Sequence, residues 1–236
     1  MARLAQASIR FRRYEIDAAR FERLSVEIDA VAARVARRIY GPSVEVDVVI
    51  EAGSLLIRIT VIGSILWGTY DAVSKYPDFK EGLGELVKDA ERYGSSIVDE
   101  VLKVTGQKKP DSVAKRDMTP GKISRVIEKL ERVKDLDKHA PRRAVQDELQ
   151  RISRDVQAIE RDLAPQELKQ VDEALESRGL PPLEKLPRPL VREGRSIIER
   201  EQKGLERSPL LGRQKLRHHN RFVVGETSPR LPKPRR

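Results

Sequence analysis

The chain of 236 residues contains no cysteine, and aromatic residues make up only 4% of it. The absence of cysteine excludes disulfides, thiol nucleophiles, iron–sulfur clusters and thiolate zinc sites, and it leaves the redox compartment open. Apolar residues make up 39% of the chain, which is enough for a modest core but too low for a polytopic membrane protein. The first residues lack the apolar segment of a signal peptide. We therefore expect a cytoplasmic protein, with membrane association as the alternative.

The net charge is +10, but most of the chain has nearly equal numbers of basic and acidic residues. Residues 1–110 carry 17 basic and 16 acidic side chains, and residues 111–207 carry 22 and 20. Residues 208–236 carry eight basic side chains and one acidic one, together with four prolines, so we expect a disordered basic tail there. Its cations are candidate contacts for nucleic acid, acidic protein or an anionic membrane: Arg213, Lys215, Arg217, Arg221, Arg230, Lys233, Arg235 and Arg236.

The first 106 residues predict a compact α+β module with the order β-α-β-β-α-α. Ile9 and Phe11 alternate with polar residues in a short strand, and an apolar stripe at spacings of three and four predicts a helix between Asp17 and Gly41. Alternating apolar residues on both sides of a turn at residues 52–54 predict a β-hairpin. A short helix over residues 65–76 and a long one over residues 78–106 complete the module.

The remainder of the chain is predicted to be mostly helical. Residues 107–118 are polar and aperiodic, so we interpret them as a linker. Residues 119–207 predict an all-α hairpin or bundle that contains a proline-rich segment at residues 180–190. One apolar stripe there alternates spacings of three and four, as in a coiled-coil seam, and is the candidate surface for self-association or partner docking: Val145, Leu149, Ile152, Val156, Ile159 and Leu163.

Residue patterns that carry chemistry are scarce. Serine nucleophile elbows, phosphate-binding glycine loops and zincin motifs are missing, and two of the three histidines are neighbours in the basic tail, His218 and His219. Glu45, Asp47 and Glu51 project from one side of the hairpin, where a cleft could assemble them for acid–base or magnesium chemistry, but a solvent-facing strand is the favoured interpretation. We expect no catalytic residue, no metal and no cofactor. An enzyme with carboxylates from distant positions is the alternative.

The most hydropathic window spans residues 48–66. The alternation around Arg58, whose insertion near a bilayer centre would cost about 2.5 kcal/mol, favours a hairpin in a folded core over a membrane span. Residues 43–76 resemble, in general form, small membrane-acting effector modules of bacterial conflict systems, and this resemblance assigns no residue roles. The corresponding candidate membrane contacts are Leu55, Ile57, Ile59, Ile65, Leu66, Trp67 and Tyr70.

These patterns lead to one main expectation and two alternatives. We expect a non-enzymatic interaction protein that forms a homo-oligomer or binds a protein partner through its amphipathic helices. The first alternative is a membrane-acting protein that lodges or conditionally inserts residues 54–76. The second is nucleic-acid binding through the basic tail alone.

Overall fold

A computed structural model describes residues 1–65, 76–136, 142–186 and 216–225. The described chain forms five strands, five α-helices and one short 3-10 helix at Leu183–Lys185. In chain order the elements are β1 (Ala2–Phe11), α1 (Ala18–Tyr40), β2 (Glu45–Glu51), β3 (Leu55–Gly63), α2 (Tyr76–Thr105), β4 (Ser112–Arg116), α3 (Met118–Leu136), α4 (Arg142–Asp162), α5 (Pro165–Ser177) and β5 (Arg217–Val223). The mixed α+β class predicted from the sequence is confirmed.

Local chemistry sets the ends of the first elements. The Asp17 side chain accepts a hydrogen bond from the Arg20 amide at 2.8 Å and caps the N-terminus of α1. Gly41 ends the helix with φ at 83°, a conformation that glycine adopts without steric cost. Gly53, in the turn between β2 and β3, also has a positive φ, of 108°.

The five strands form one sheet in the order β4-β1-β3-β2-β5, and every neighbouring pair is antiparallel. Strands β1 to β4 with helices α1 and α2 therefore have the split β-α-β arrangement known as ferredoxin-like. Strand β5 extends this arrangement beyond β2. The order places β3 at the centre, with β4 and β5 at the two edges.

One face of the sheet packs against the helices. Val46, Val48 and Ile50 of β2 lie beside Ile57 and Ile59 of β3, and all five side chains are completely buried. Helix α1 contacts β2 and α2, and α2 in turn contacts β1 and β4. Alternation along each strand sends every second side chain to the opposite side, which we call the open face.

The helices α3, α4 and α5 continue the same core. Helix α3 contacts β1, α2 and α4, while α5 contacts α2, and the buried apolar side chains of all these elements form one cluster. Hydrogen bonds between side chains of different elements support this packing. Asp162 at the end of α4 accepts hydrogen bonds from Arg3 Nη2 at 2.6 Å, Thr119 Oγ1 at 3.1 Å and Lys122 Nζ at 3.1 Å. Burial alone raises the pKa of Asp162, but the hydrogen bonds from Arg3 and Lys122 bring it below its ordinary value.

Two segments that were expected to lack regular structure contain the edge strands. Residues 112–116, inside the predicted linker, pair with β1, and residues 217–223, inside the predicted disordered tail, pair with β2. Both strands are short, polar and charged, and strand pairing with a distant partner supplies their backbone hydrogen bonds. The rest of the tail, most of the helix predicted at residues 65–76 and residues 187–207 lie outside the described residues.

The apolar stripe of α4 is also used differently from the prediction. Ile152, Val156, Ile159 and Leu163 are 0%, 2%, 0% and 9% exposed, and α4 packs against α3 of the same chain. These four side chains therefore pack within the chain in the described fold, and docking through this stripe stays a prediction. Val145 and Leu149 are partly buried against the same cluster. A seam pattern identifies a packed helix face, but it does not say whether the partner helix belongs to the same chain.

Replacement of Ile159 by alanine should test this assignment. Because the side chain is completely buried, I159A should lower the free energy of unfolding by about 2–4 kcal/mol. The partly buried Val145 provides the matched control, since V145A should cost about 1 kcal/mol or less. Urea unfolding monitored by circular dichroism measures both. Equal and small effects at the two positions would contradict an intramolecular seam.

Candidate functional site

The open face is a grid of side chains set by the registers of the five strands. Its rows of side chains run across the whole sheet, because residues directly paired in antiparallel strands point to the same side. The face consists of Ser112, Ala114 and Arg116 on β4; Gln6, Ser8 and Arg10 on β1; Leu56, Arg58, Thr60 and Ile62 on β3; Glu45, Asp47, Val49 and Glu51 on β2; and Arg217, His219, Arg221 and Val223 on β5. Thr60 and Ile62 at one end of β3 are buried, so the face is open only beyond them.

The β2 side of the open face is an acidic strand paired with a basic one. Arg221 Nε donates to Glu45 Oε2 at 2.7 Å, and His219 Nε2 lies 2.7 Å from Asp47 Oδ1. Arg217 Nε is 3.6 Å from a carboxylate oxygen of Glu51. The three carboxylates of the hairpin therefore serve to hold β5. Among the described residues no group of histidine and carboxylate side chains is arranged to hold a metal ion.

This pairing changes the interpretation of the tail cations. Arg217 and Arg221 were expected to contact an external anion, but both contact carboxylates of β2 in the same chain. Sequence patterns alone could not reveal this use, since the partners are separated by more than 160 positions. The remaining candidates lie outside the described residues: Arg213, Lys215, Arg230, Lys233, Arg235 and Arg236.

On its helix-covered side, β5 is attached to α1 through a buried carboxylate. His218 Nε2 lies 2.9 Å from Asp29 Oδ2, and Asn220 Nδ2 donates to the same oxygen at 2.7 Å. Asp29 is 3% exposed, and its second oxygen, Oδ1, has no hydrogen-bond partner among the described residues. Burial raises the pKa of Asp29, although the contacts with Asn220 and His218 oppose this rise. The carboxylate thus fixes β5 in place at a desolvation cost.

The opposite side of the open face carries three arginines on three adjacent strands. Arg116 of β4, Arg10 of β1 and Arg58 of β3 are exposed, and none of them forms an ion pair with a described residue. The positions between them hold small or neutral polar side chains, among them Ser8 and Gln6. Sequence reasoning did not identify this set, because Arg116 lay in a presumed linker and the partner strands of Arg10 and Arg58 were unknown. The arrangement can bind anionic groups through charge-assisted hydrogen bonds.

The candidate membrane contacts lie mainly inside the protein. Leu55, Ile57 and Ile59 are completely buried on the helix-covered face, and Ile65 is buried in the same apolar cluster. Leu66, Trp67 and Tyr70 lie outside the described residues. None of the helices in the described ranges has the length and apolar content that a membrane span requires.

Comparisons with protein-family models, with curated proteins and with solved structures find no match to this chain.

An exchange of charges between β2 and β5 should test whether the side chains of these two strands interact. Arg221→Glu brings a second carboxylate next to Glu45, so R221E should destabilise the protein by about 1 kcal/mol, and the double variant E45R/R221E should recover most of this loss. Urea unfolding of the four proteins of this cycle gives the coupling free energy. Additive effects of the two substitutions would mean that these side chains do not interact.

The buried carboxylate predicts a specific pH dependence. Because burial raises the pKa of Asp29, the folded protein holds this proton more strongly than the unfolded chain. The contribution of Asp29 to stability therefore falls as the pH rises from the unfolded value of 3.8 through the folded pKa. Asp29→Asn removes this titration and keeps an amide that can bond to Asn220 and His218. The stability difference between D29N and the parent, from urea unfolding at pH 4 to 7, should shift in favour of D29N at the higher pH. A constant difference would contradict the assignment.

Proposed function

We propose that the protein is a non-enzymatic binding protein that engages an acidic protein partner on the open face of its sheet. The observation that carries this proposal is the set of three exposed arginines, Arg10, Arg58 and Arg116, on adjacent strands without carboxylate partners among the described residues. Arginine is enriched at protein interfaces, since its planar guanidinium binds carboxylates in a bidentate manner.

The composition of the open face favours a protein over a nucleic acid. Leu56 and Val49 are partly exposed beside the arginines and offer apolar contact. Nucleic-acid binders of the single-stranded class stack bases on aromatic side chains, and the described open face has none. Three cations would also neutralise few phosphates, which gives weak binding to nucleic acid with a shallow salt dependence.

The arrangement of the carboxylates supports a non-enzymatic role. Glu45, Asp47 and Glu51 are engaged by β5, and Asp162 is engaged by Arg3 and Lys122. A catalytic acid or base has to reach a substrate with its proton-accepting oxygen. These groups instead hold strands and helices together.

A charge-reversal experiment tests the proposed surface. The probes are fluorescent poly-L-glutamate, which imitates an acidic protein segment, and a twelve-nucleotide oligo-dT. We expect poly-L-glutamate to bind with an affinity that falls with salt, and R10E/R58E to weaken it by about tenfold or more, because two attractive contacts become repulsive. Fluorescence anisotropy measures both.

Reversal of two exposed arginines on α1, R37E/R38E, is the matched control and should leave the affinity nearly unchanged. If oligo-dT binds more tightly and responds to R10E/R58E in the same way, the partner class is wrong. If R10E/R58E binds poly-L-glutamate as well as the parent does, the open face is not the binding surface.

A further inference from the structure

The edge strand β4 is paired on one side only. It hydrogen-bonds to β1, and no described strand lies along its other edge. All five of its residues are exposed, and Val113 is one of two large apolar side chains that the described structure leaves exposed, at 38%. Unpaired backbone groups along such an edge can accept an additional strand from another polypeptide.

The edge strand is basic, and the two acidic residues that flank it in the chain are engaged in other contacts. Asp111 accepts a hydrogen bond from the Arg12 amide at 2.7 Å, and Asp117 pairs with Arg125 at 2.9 Å. Within the described residues, no carboxylate pairs with the cations of this segment: Lys108, Lys109, Lys115 and Arg116. An approaching anionic segment therefore meets cations that no internal ion pair neutralises.

A groove between β4 and α2 places one of these cations in a fixed position. It encloses about 490 Å³ and is lined by Ala90, Glu91 and Ser95 of α2 together with Lys115, Arg116 and Asp117. The stem of Lys115 crosses α2 at Gly94, where any side chain would come within 3.1 Å of it. Its ammonium group donates to Ser95 Oγ at 3.0 Å. Lys115 is thus held in the groove, which lowers the entropic cost of using it as a binding group.

The other edge of the same sheet demonstrates how such an edge is closed. There the acidic strand β2 accepts the basic strand β5, and the side chains pair across the two strands. At the β4 edge the signs are reversed, because the exposed strand is the basic one. Charge complementarity therefore specifies an acidic strand as its occupant.

We infer that β4 accepts an extended acidic segment of a protein partner as an added antiparallel strand. Carboxylates of this segment reach Lys115 in the groove and Arg116 on the open face, while an apolar residue covers Val113. The inference rests on the proposed function, since it specifies how the acidic partner binds, and it would make the partner strand continuous with the sheet.

The experiment uses the full chain and two synthetic peptides. The first is Thr-Glu-Glu-Thr-Val-Thr-Thr, whose two glutamates lie opposite Arg116 and Lys115 when its valine lies opposite Val113 in an antiparallel register, and the second has lysine in place of each glutamate. Fluorescence anisotropy gives the affinity, and hydrogen exchange measured by mass spectrometry gives the location. We expect the glutamate peptide to bind, to slow exchange in residues 112–116, and to lose about tenfold in affinity to K115E. The lysine peptide should not bind the parent protein.

The variants separate this inference from the proposed function. R38E on α1 is the matched single-charge control and should bind like the parent. If R10E/R58E abolishes binding while K115E has no effect and exchange at residues 112–116 is unchanged, the open face remains the site and the added strand is wrong. If K115E weakens binding and residues 112–116 are protected while R10E/R58E has no effect, the added strand is supported and the open-face proposal fails. Absence of binding at millimolar peptide overturns the inference.

Discussion

The pairing of β1 with β3 is the contact on which the rest of the structure depends. It joins residues 2–11 to residues 55–63 and so closes the sheet across α1 and β2. Once β3 lies between β1 and β2, both outer strands have a place to pair, and the alternating apolar residues of three strands combine into one surface for α1 and α2. The buried side chains then supply the main driving force, because completely buried aliphatic groups each contribute roughly 1.5–3 kcal/mol.

The sequence predicts those elements in which an apolar pattern repeats over many consecutive residues. Helix α1 and the β2–β3 hairpin each contain enough alternating or stripe-forming residues to identify the element and its buried face. Strands β4 and β5 have five and seven residues and contain no fully buried side chain, so they lack an apolar pattern that would identify them. Their structure comes from partners far away in the chain, and sequence periodicity holds no information about such partners.

In the candidate site too, the local pattern predicts which side of a strand a residue lies on, but not which distant residues it meets. The alternation of the hairpin correctly placed Glu45, Asp47 and Glu51 on one side, but it could not reveal that β5 brings cations to them. Arg10, Arg58 and Arg116 become a set only after three strand registers are known. A one-residue change in the register of β1 or β3 would move Arg10 or Arg58 to the helix-covered face, where its charge would be buried. The set is thus a property of the topology.

The charge distribution along the chain has a different meaning in the folded protein. The basic tail suggested an external anion, yet its described part neutralises the acidic β2 edge and presents its remaining polar side chains to Asp29. The sheet cations that have no carboxylate partner among the described residues come instead from the nearly neutral body of the chain, at Arg10, Arg58, Lys115 and Arg116. Net charge by segment measures what a segment carries, whereas binding depends on which charges the fold leaves unpaired. Since the helix-covered face carries the core, side chains on the open face and the β4 edge can take part in binding with little cost to folding stability.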